Sequence, residues 1–174
     1  MAPVFSTGVK SQGNIKINWV PTYVSYLAPK VTETNAAGSL DLSCYLTGWA
    51  PSISQNKGTA PNRLCTTIEY EQFGLTSLTI ADLMYHVTPQ GAALSNGMLA
   101  YEKLIPGTSG YFQERLGLNA ITSDWAIGQF VSVWPVTLGD RLIMGDPTDE
   151  FAEFMVTQAV IVTGPRVERV ALVA

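Results

Sequence analysis

Reactive groups are scarce in this chain. Of its 174 residues one is a histidine, His86, and two are cysteines, Cys44 and Cys65. A catalytic or metal-bound histidine needs partners, and neither cysteine stands at ligand spacing from His86, so that residue reads as structural. Two cysteines are too few for a disulfide scaffold. The leading segment MAPVFSTGVK has no basic stretch followed by an apolar one, so no secretory leader is expected, and free buried thiols are. No Gly-x-Ser-x-Gly turn presents a nucleophile. Asn56-Lys57-Gly58-Thr59 lacks the upstream glycine and the following helix of a phosphate-binding loop. No enzymatic activity and no cofactor are expected.

Charge is also sparse. Charged residues make up 14% of the chain, against about 25% in an ordinary globular domain. Such a surface must be neutral polar or apolar, which fits either extensive contact with further copies of the chain or a neutral β-protein. The ten lysines and arginines are scattered from Lys10 to Arg169, and the net charge is −4. Nucleic-acid binding needs a concentrated positive face, so DNA is not an expected ligand. No run approaches the roughly 18 apolar residues that cross a bilayer. The expected product is made in a cytoplasm and stays soluble.

Strands are what the sequence does contain. WAIGQFVSVWPVTLG from Trp125, FAEFMVTQAVIVTGP from Phe151 and RVERVALVA from Arg166 are β-branched and aromatic runs closed by Gly or Pro. Ile15, Ile17 and Trp19 alternate with Lys16 and Asn18 in a half-buried strand that Pro21 stops. GYFQERLGL from Gly110 is another strand, and LCTTIEYEQFG and SLTIADLMYHV are two more about a turn at Gly74. Residues 1–14 read as a flexible arm, 22–38 as extended loop, and 15–174 as one domain. The segment 48–63, GWAPSISQNKGTAPNR, holds two Pro and two Gly and predicts a long loop without regular structure. One helix is predicted over about 89–104, capped by Thr88, opened by Pro89 and ended by Pro106-Gly107.

Two groups of carboxylates stand out. Glu69 and Glu71 share a strand face by their i, i+2 spacing, with Ile68 and Tyr70 on the other. Asp146, Asp149, Glu150 and Glu153 form an acidic loop without the glycine-turned pattern of a calcium loop. Neither group shows the opposed, buried pair of a glycosidase.

From Asp41 to Ala174 the chain resembles the major tail tube protein of long, flexible-tailed bacteriophages, especially those of actinobacteria. LTGWAPSISQNKGTAPNRLCTT, the strands ending in ADLMY, the helix with its Pro-Gly exit, RLGLNAITSDWAIGQFVSVWPVTLG, FAEFMVTQAVIVTGP and the final VALVA carry the resemblance as an ordered set. It implies a mainly β fold: a β-sandwich of tail-tube type with one flanking α-helix and a long loop or hairpin. It further implies hexameric rings stacked around a tape-measure protein, with a tail terminator and baseplate or distal tail proteins at the ends. DNA would pass through without specific binding, in a virion tail assembled in the host bacterial cytoplasm, with no membrane involved.

On that reading Glu69 and Glu71 are expected to line the lumen, with Ile68 and Tyr70 packed inward. Trp49, Lys57 and Arg63 on one side and Asp146, Asp149, Glu150 and Glu153 on the other are expected at contacts between subunits. The alternatives are a tail terminator, a head-decoration protein, a small hydrolase, or a carbohydrate-binding or fibre-like module. The last of these would show an aromatic platform on an exposed face.

Overall fold

The computed structural model describes residues 8–61, 63–65 and 67–174. Nine strands and two short helices occur among them. In chain order these are β1 (Ile15–Val20), α1 (Val31–Thr34), β2 (Leu40–Asp41), β3 (Pro51–Thr59), β4 (Glu71–Ile80), β5 (Leu83–His86), α2 (Leu99–Lys103), β6 (Ser109–Leu116), β7 (Phe130–Met144), β8 (Met155–Val162) and β9 (Val167–Ala171). The fold is mainly β, as expected. Of the arm expected at 1–14, residues 1–7 lie outside the described residues.

Seven strands form one antiparallel sheet in the order β2-β1-β6-β7-β8-β5, with β9 beside β7. The organising strand is β7, whose Phe130–Val133 half pairs with β9 and whose Val136–Met144 half pairs with β8. Pro135 sits at the handover. Its carbonyl accepts from Thr163 at 3.0 Å, so the side of Pro135 that lacks an N–H faces the gap between β8 and β9, where no ladder bond is lost. The sheet curls until its ends meet. The Thr47 amide donates to Met84 O at 2.9 Å and the His86 amide to Tyr45 O at 3.2 Å, which covers the edge of β5 with the segment after β2.

Inside the curl, Trp19, Phe112, Trp134, Leu138, Tyr85 and Val156 belong to one apolar core. Trp19 and Phe112 pack with ring centroids 5.3 Å apart. This closeness needs Gly110, because a Cβ there would meet the Trp19 ring at 2.4 Å. A second core, on the opposite face of β1 and β7, joins Val20, Tyr23, Trp125, Val131, Val133 and Leu172. β1 is therefore buried on both faces, which alternation alone did not predict: Lys16 and Asn18 are 5% and 2% exposed. The Asn18 amide nitrogen donates to Thr34 O at 2.8 Å, so α1 satisfies the polar side of the strand.

Three local expectations are corrected. The segment 48–63 is not structureless: Pro51–Thr59 is β3, paired along its length with β4 in a separate two-stranded sheet. The hairpin connection lies between Thr59 and Glu71, whereas Gly74 lies within β4 at the bulge, where the strand takes one residue more than the Gln55–Lys57 step of β3. The helix over 89–104 shrinks to Leu99–Lys103. Residues 88–98 instead close a loop through Thr88 N to Gly97 O at 2.9 Å, with Leu94 at φ 57. A left-handed leucine ends any helix that Pro89 starts. Finally, both cysteines are free as expected but exposed, not buried.

Candidate functional site

The β3–β4 hairpin leaves the body at Trp49–Pro51 and returns at Ile80, an arm of about 30 Å at the ordinary strand rise. Its strands pair only with each other among the described residues. At its base Ile80 is 5% exposed and Leu78 packs against the main core. Beyond that point the arm is open. Phe73, Leu75 and Leu64 are 69%, 85% and 110% exposed. The bulge brings Phe73 opposite Lys57, in register with Thr76 and Leu78, and the Lys57 ammonium lies 5.7 Å from the centroid of the Phe73 ring.

The acidic loop joins β7 to β8. Asp146 Oδ1 accepts from the amide and hydroxyl of Thr148 at 2.9 and 2.6 Å, and these bonds hold its carboxyl below the usual range. Asp149 Oδ1 accepts from the Phe151 amide at 2.9 Å. Glu153 pairs with His86 Nδ1 at 2.8 Å, both side chains being well exposed, so the single histidine ties the end of β5 to the loop. An open groove of about 790 Å³ lies here, its apolar wall made by Met84, Met144, Phe151 and Met155. β5 follows the hairpin base and lines this groove with Met84 and His86.

The predicted residues divide accordingly. Lys57 and Arg63 stand on the hairpin and Asp146, Asp149, Glu150 and Glu153 on the β7–β8 loop, and all are exposed except where stated. Glu71 opens β4 opposite Thr59 and Glu69 lies in the tip, so both acids share the arm with the two bases. The inward packing expected for Ile68 and Tyr70 does not occur: they are 61% and 58% exposed. Packing of Ile68 and Tyr70 therefore does not set the direction in which Glu69 and Glu71 face. Trp49 is half-buried against Phe112, ring centroids 5.4 Å apart, and turns toward its own chain.

Besides Lys16, sequence reasoning missed two buried charges. Glu114, within GYFQERLGL, is 8% exposed and accepts from Trp49 Nε1 at 3.1 Å and from Trp134 Nε1 at 3.5 Å. Burial pushes its carboxyl above the usual range, and the two indoles and the Arg166 guanidinium pull it partly back. Arg115, on the opposite face, is 1% exposed and donates to the carbonyls of Asp124, Asn119 and Ser123, each at 2.9 Å, beneath the Trp125 ring. As neighbours on one strand these residues point to opposite faces, and nothing in the sequence shows that both faces are covered.

No group of three or more metal-ligating side chains occurs among the described residues, and no helix is long and apolar enough to cross a membrane. Trp19, Trp125 and Trp134 are buried and Trp49 is half-buried, so no tryptophan platform exists for a sugar. What these observations define is a strand-built structural subunit with an uncovered arm. A family model described as phage tail tube protein matches residues 4–174, and the chain belongs to that family. Among curated proteins no sequence matches. Family membership makes the chain a structural component of a phage tail tube, a part of the virion that forms by self-assembly.

Proposed function

We propose that the chain is the major tail tube subunit of a long, flexible-tailed phage, closing into rings of six that stack around a tape-measure protein and conduct DNA. The observation that carries this reading is the arm. A two-stranded ribbon is marginal in water by itself, and this one exposes Phe73, Leu75 and Leu64. A surface of that kind needs a cover, and further copies of the chain supply it. The arm and the acidic groove are unlike patches, and a contact between unlike patches is heterologous, so it propagates into an open filament.

A ring of six would carry −24, six times the −4 of one chain, which discourages a polyanion from binding as it passes. The subunit would be made and assembled in the host bacterial cytoplasm, with a tail terminator and baseplate proteins closing the two ends. Electron microscopy of the concentrated purified chain is expected to show hollow tubes or isolated rings. A strictly monomeric species at high concentration, even with tail-initiating partners present, defeats the proposal.

A further inference from the structure

The arm meets the body at few points, and one of them is a buried carboxylate. The main chain is secured before the arm by the pairing of Thr47 with Met84, and a backbone bond from Ala81 N to Ala50 O at 3.2 Å closes the base. Gly48 follows Thr47, and a Cβ there would meet nothing within 4 Å, so the outgoing strand is not held at that residue, whereas the returning strand packs Leu78 and Ile80 against the core. Trp49 comes next. Its ring rests edge-on against Phe112, and its Nε1 donates to Glu114 Oε1 at 3.1 Å, while Trp134 Nε1 approaches Glu114 Oε2 at 3.5 Å.

We infer that Glu114 is a positioning residue for assembly: its buried carboxylate clasps the Trp49 indole to the body and so sets the direction in which the β3–β4 arm projects. This rests on the proposed role of the arm as the element that meets the next copy.

The chemistry favours a positional role over mere filling. A buried carboxylate is costly unless its oxygens are hydrogen-bonded, and here each oxygen faces an indole N–H, one from the body and one from the root of the arm. Arg166, whose guanidinium draws the Glu114 carboxyl partly down, makes its own ion pair with Glu168 at 2.5 Å and lies 4.9 Å from the Trp134 ring centroid. Release of Trp49 would leave one carboxylate oxygen buried without its donor, so the bond resists swinging of the arm. A leucine at 114 would fill the space with no such preference.

The test reads the pose of the arm directly. In a Cys65→Ser, Thr59→Cys background, nitroxide labels at Cys44 on the body and at position 59 on the arm report one distance by pulsed electron spin resonance. With Trp49 and Glu114 intact a narrow distribution is expected. Trp49→Phe keeps the ring but removes the donor, and Glu114→Leu removes the acceptor. Each is expected to lower the ratio of clasped to free arm by about tenfold or more, the usual consequence of losing a hydrogen bond to a charged group. The narrow peak would then give way to a broad one, with slower tube formation. Glu114→Gln, which keeps an acceptor oxygen, is expected to hold the peak narrow.

Equal widths in all four chains, with folding confirmed by circular dichroism, would overturn the inference. So would broad distributions in variants that form tubes at the unsubstituted rate. Failure of the unsubstituted chain to form any tube counts against the proposed function instead, and the distance widths alone then decide the clasp.

Discussion

In the body, Trp134, Phe112 and Tyr85 are wholly buried, whereas in the hairpin Phe73, Leu75 and Leu64 are 69–110% exposed. The same residue types therefore do two jobs in one chain. Apolar residues in the curled sheet hold the subunit together before it meets a neighbour. Those in the arm contribute little to the isolated subunit and, on the proposed function, gain their burial on association. Substitutions should separate the two sets. Trp134→Ala or Phe112→Ala is expected to cost about 3–5 kcal/mol of folding stability, the usual range for deleting a large buried aromatic. Leu75→Ser, on the arm, should change stability by no more than about 0.5 kcal/mol and yet prevent tube formation. Chemical denaturation gives the first quantity and electron microscopy the second. Loss of several kcal/mol in Leu75→Ser would mean that the arm is part of the folding core.

The body also carries buried ionisable groups that the arm does not, and pH should distinguish the two regions. Because burial raises the Glu114 carboxyl above its ordinary value of 4.5, the native chain holds this proton more tightly than the unfolded chain. The resulting stability cost is present above the native pKa. It diminishes as pH falls from there to 4.5 and changes no further below. Glu114→Gln should therefore be at least as stable as the unsubstituted chain at neutral pH and should lack this rise toward acid.

Tyr85 works in the alkaline range. Its phenol donates to Gln158 Oε1 at 3.0 Å, and burial pushes it from 10.0 to about 12. The unfolded chain ionises first, so stability is level below pH 10 and falls between 10 and about 12. Burial raises Tyr23 as well, which adds to the same loss. Urea midpoints across both ranges check the signs, and Tyr85→Phe should flatten part of the alkaline limb. An alkaline limb unchanged in Tyr85→Phe would remove Tyr85 from the account.

The contrast between body and arm also explains how much was legible in the sequence. Strands such as WAIGQFVSVWPVTLG and GYFQERLGL announce themselves because β-branched residues and alternation reflect burial within one chain. The arm gives no such signal. Ser52, Ser54, Gln55 and Gly58 in β3 have no core to face, so the segment reads as loop although the ladder with β4 is continuous apart from one bulge. Gly74 reads as a turn because a glycine between two apolar runs often is one. Here it lies opposite Asn56 at the bulge, where a Cβ would stand 3.3 Å from that side chain. The helix failed for a related reason. Apolar spacing at Leu94 and Met98 suited a helix, but the backbone at Leu94 is left-handed and its amide is taken by the Glu102 carboxylate at 2.7 Å. The family resemblance reached the candidate site through the order of its segments, while the Glu114 clasp depends on Trp49 and Trp134, 85 residues apart, meeting one carboxylate.

The smallest expected effect concerns charge at the proposed contact. Lys57 and Arg63 on the arm were expected to face Asp146, Asp149, Glu150 and Glu153 on a neighbour. The structure brings Glu69 and Glu71 onto the same arm, which makes 51–80 neutral overall and weakens any long-range attraction to the acidic loop. Exposed ion pairs contribute about 0–1 kcal/mol each, so apolar cover should dominate affinity and charge should act on the rate of docking. Lys57→Glu with Arg63→Glu is thus expected to slow tube growth at low salt, with the fold unchanged by circular dichroism and the difference fading as salt is added. Adding Asp149→Lys and Glu150→Lys to that chain should restore part of the rate, because the reversed charges then meet in the opposite sense. Growth at the unsubstituted rate in the charge-reversed chain at low salt would leave the apolar face of the arm as the sole determinant of docking.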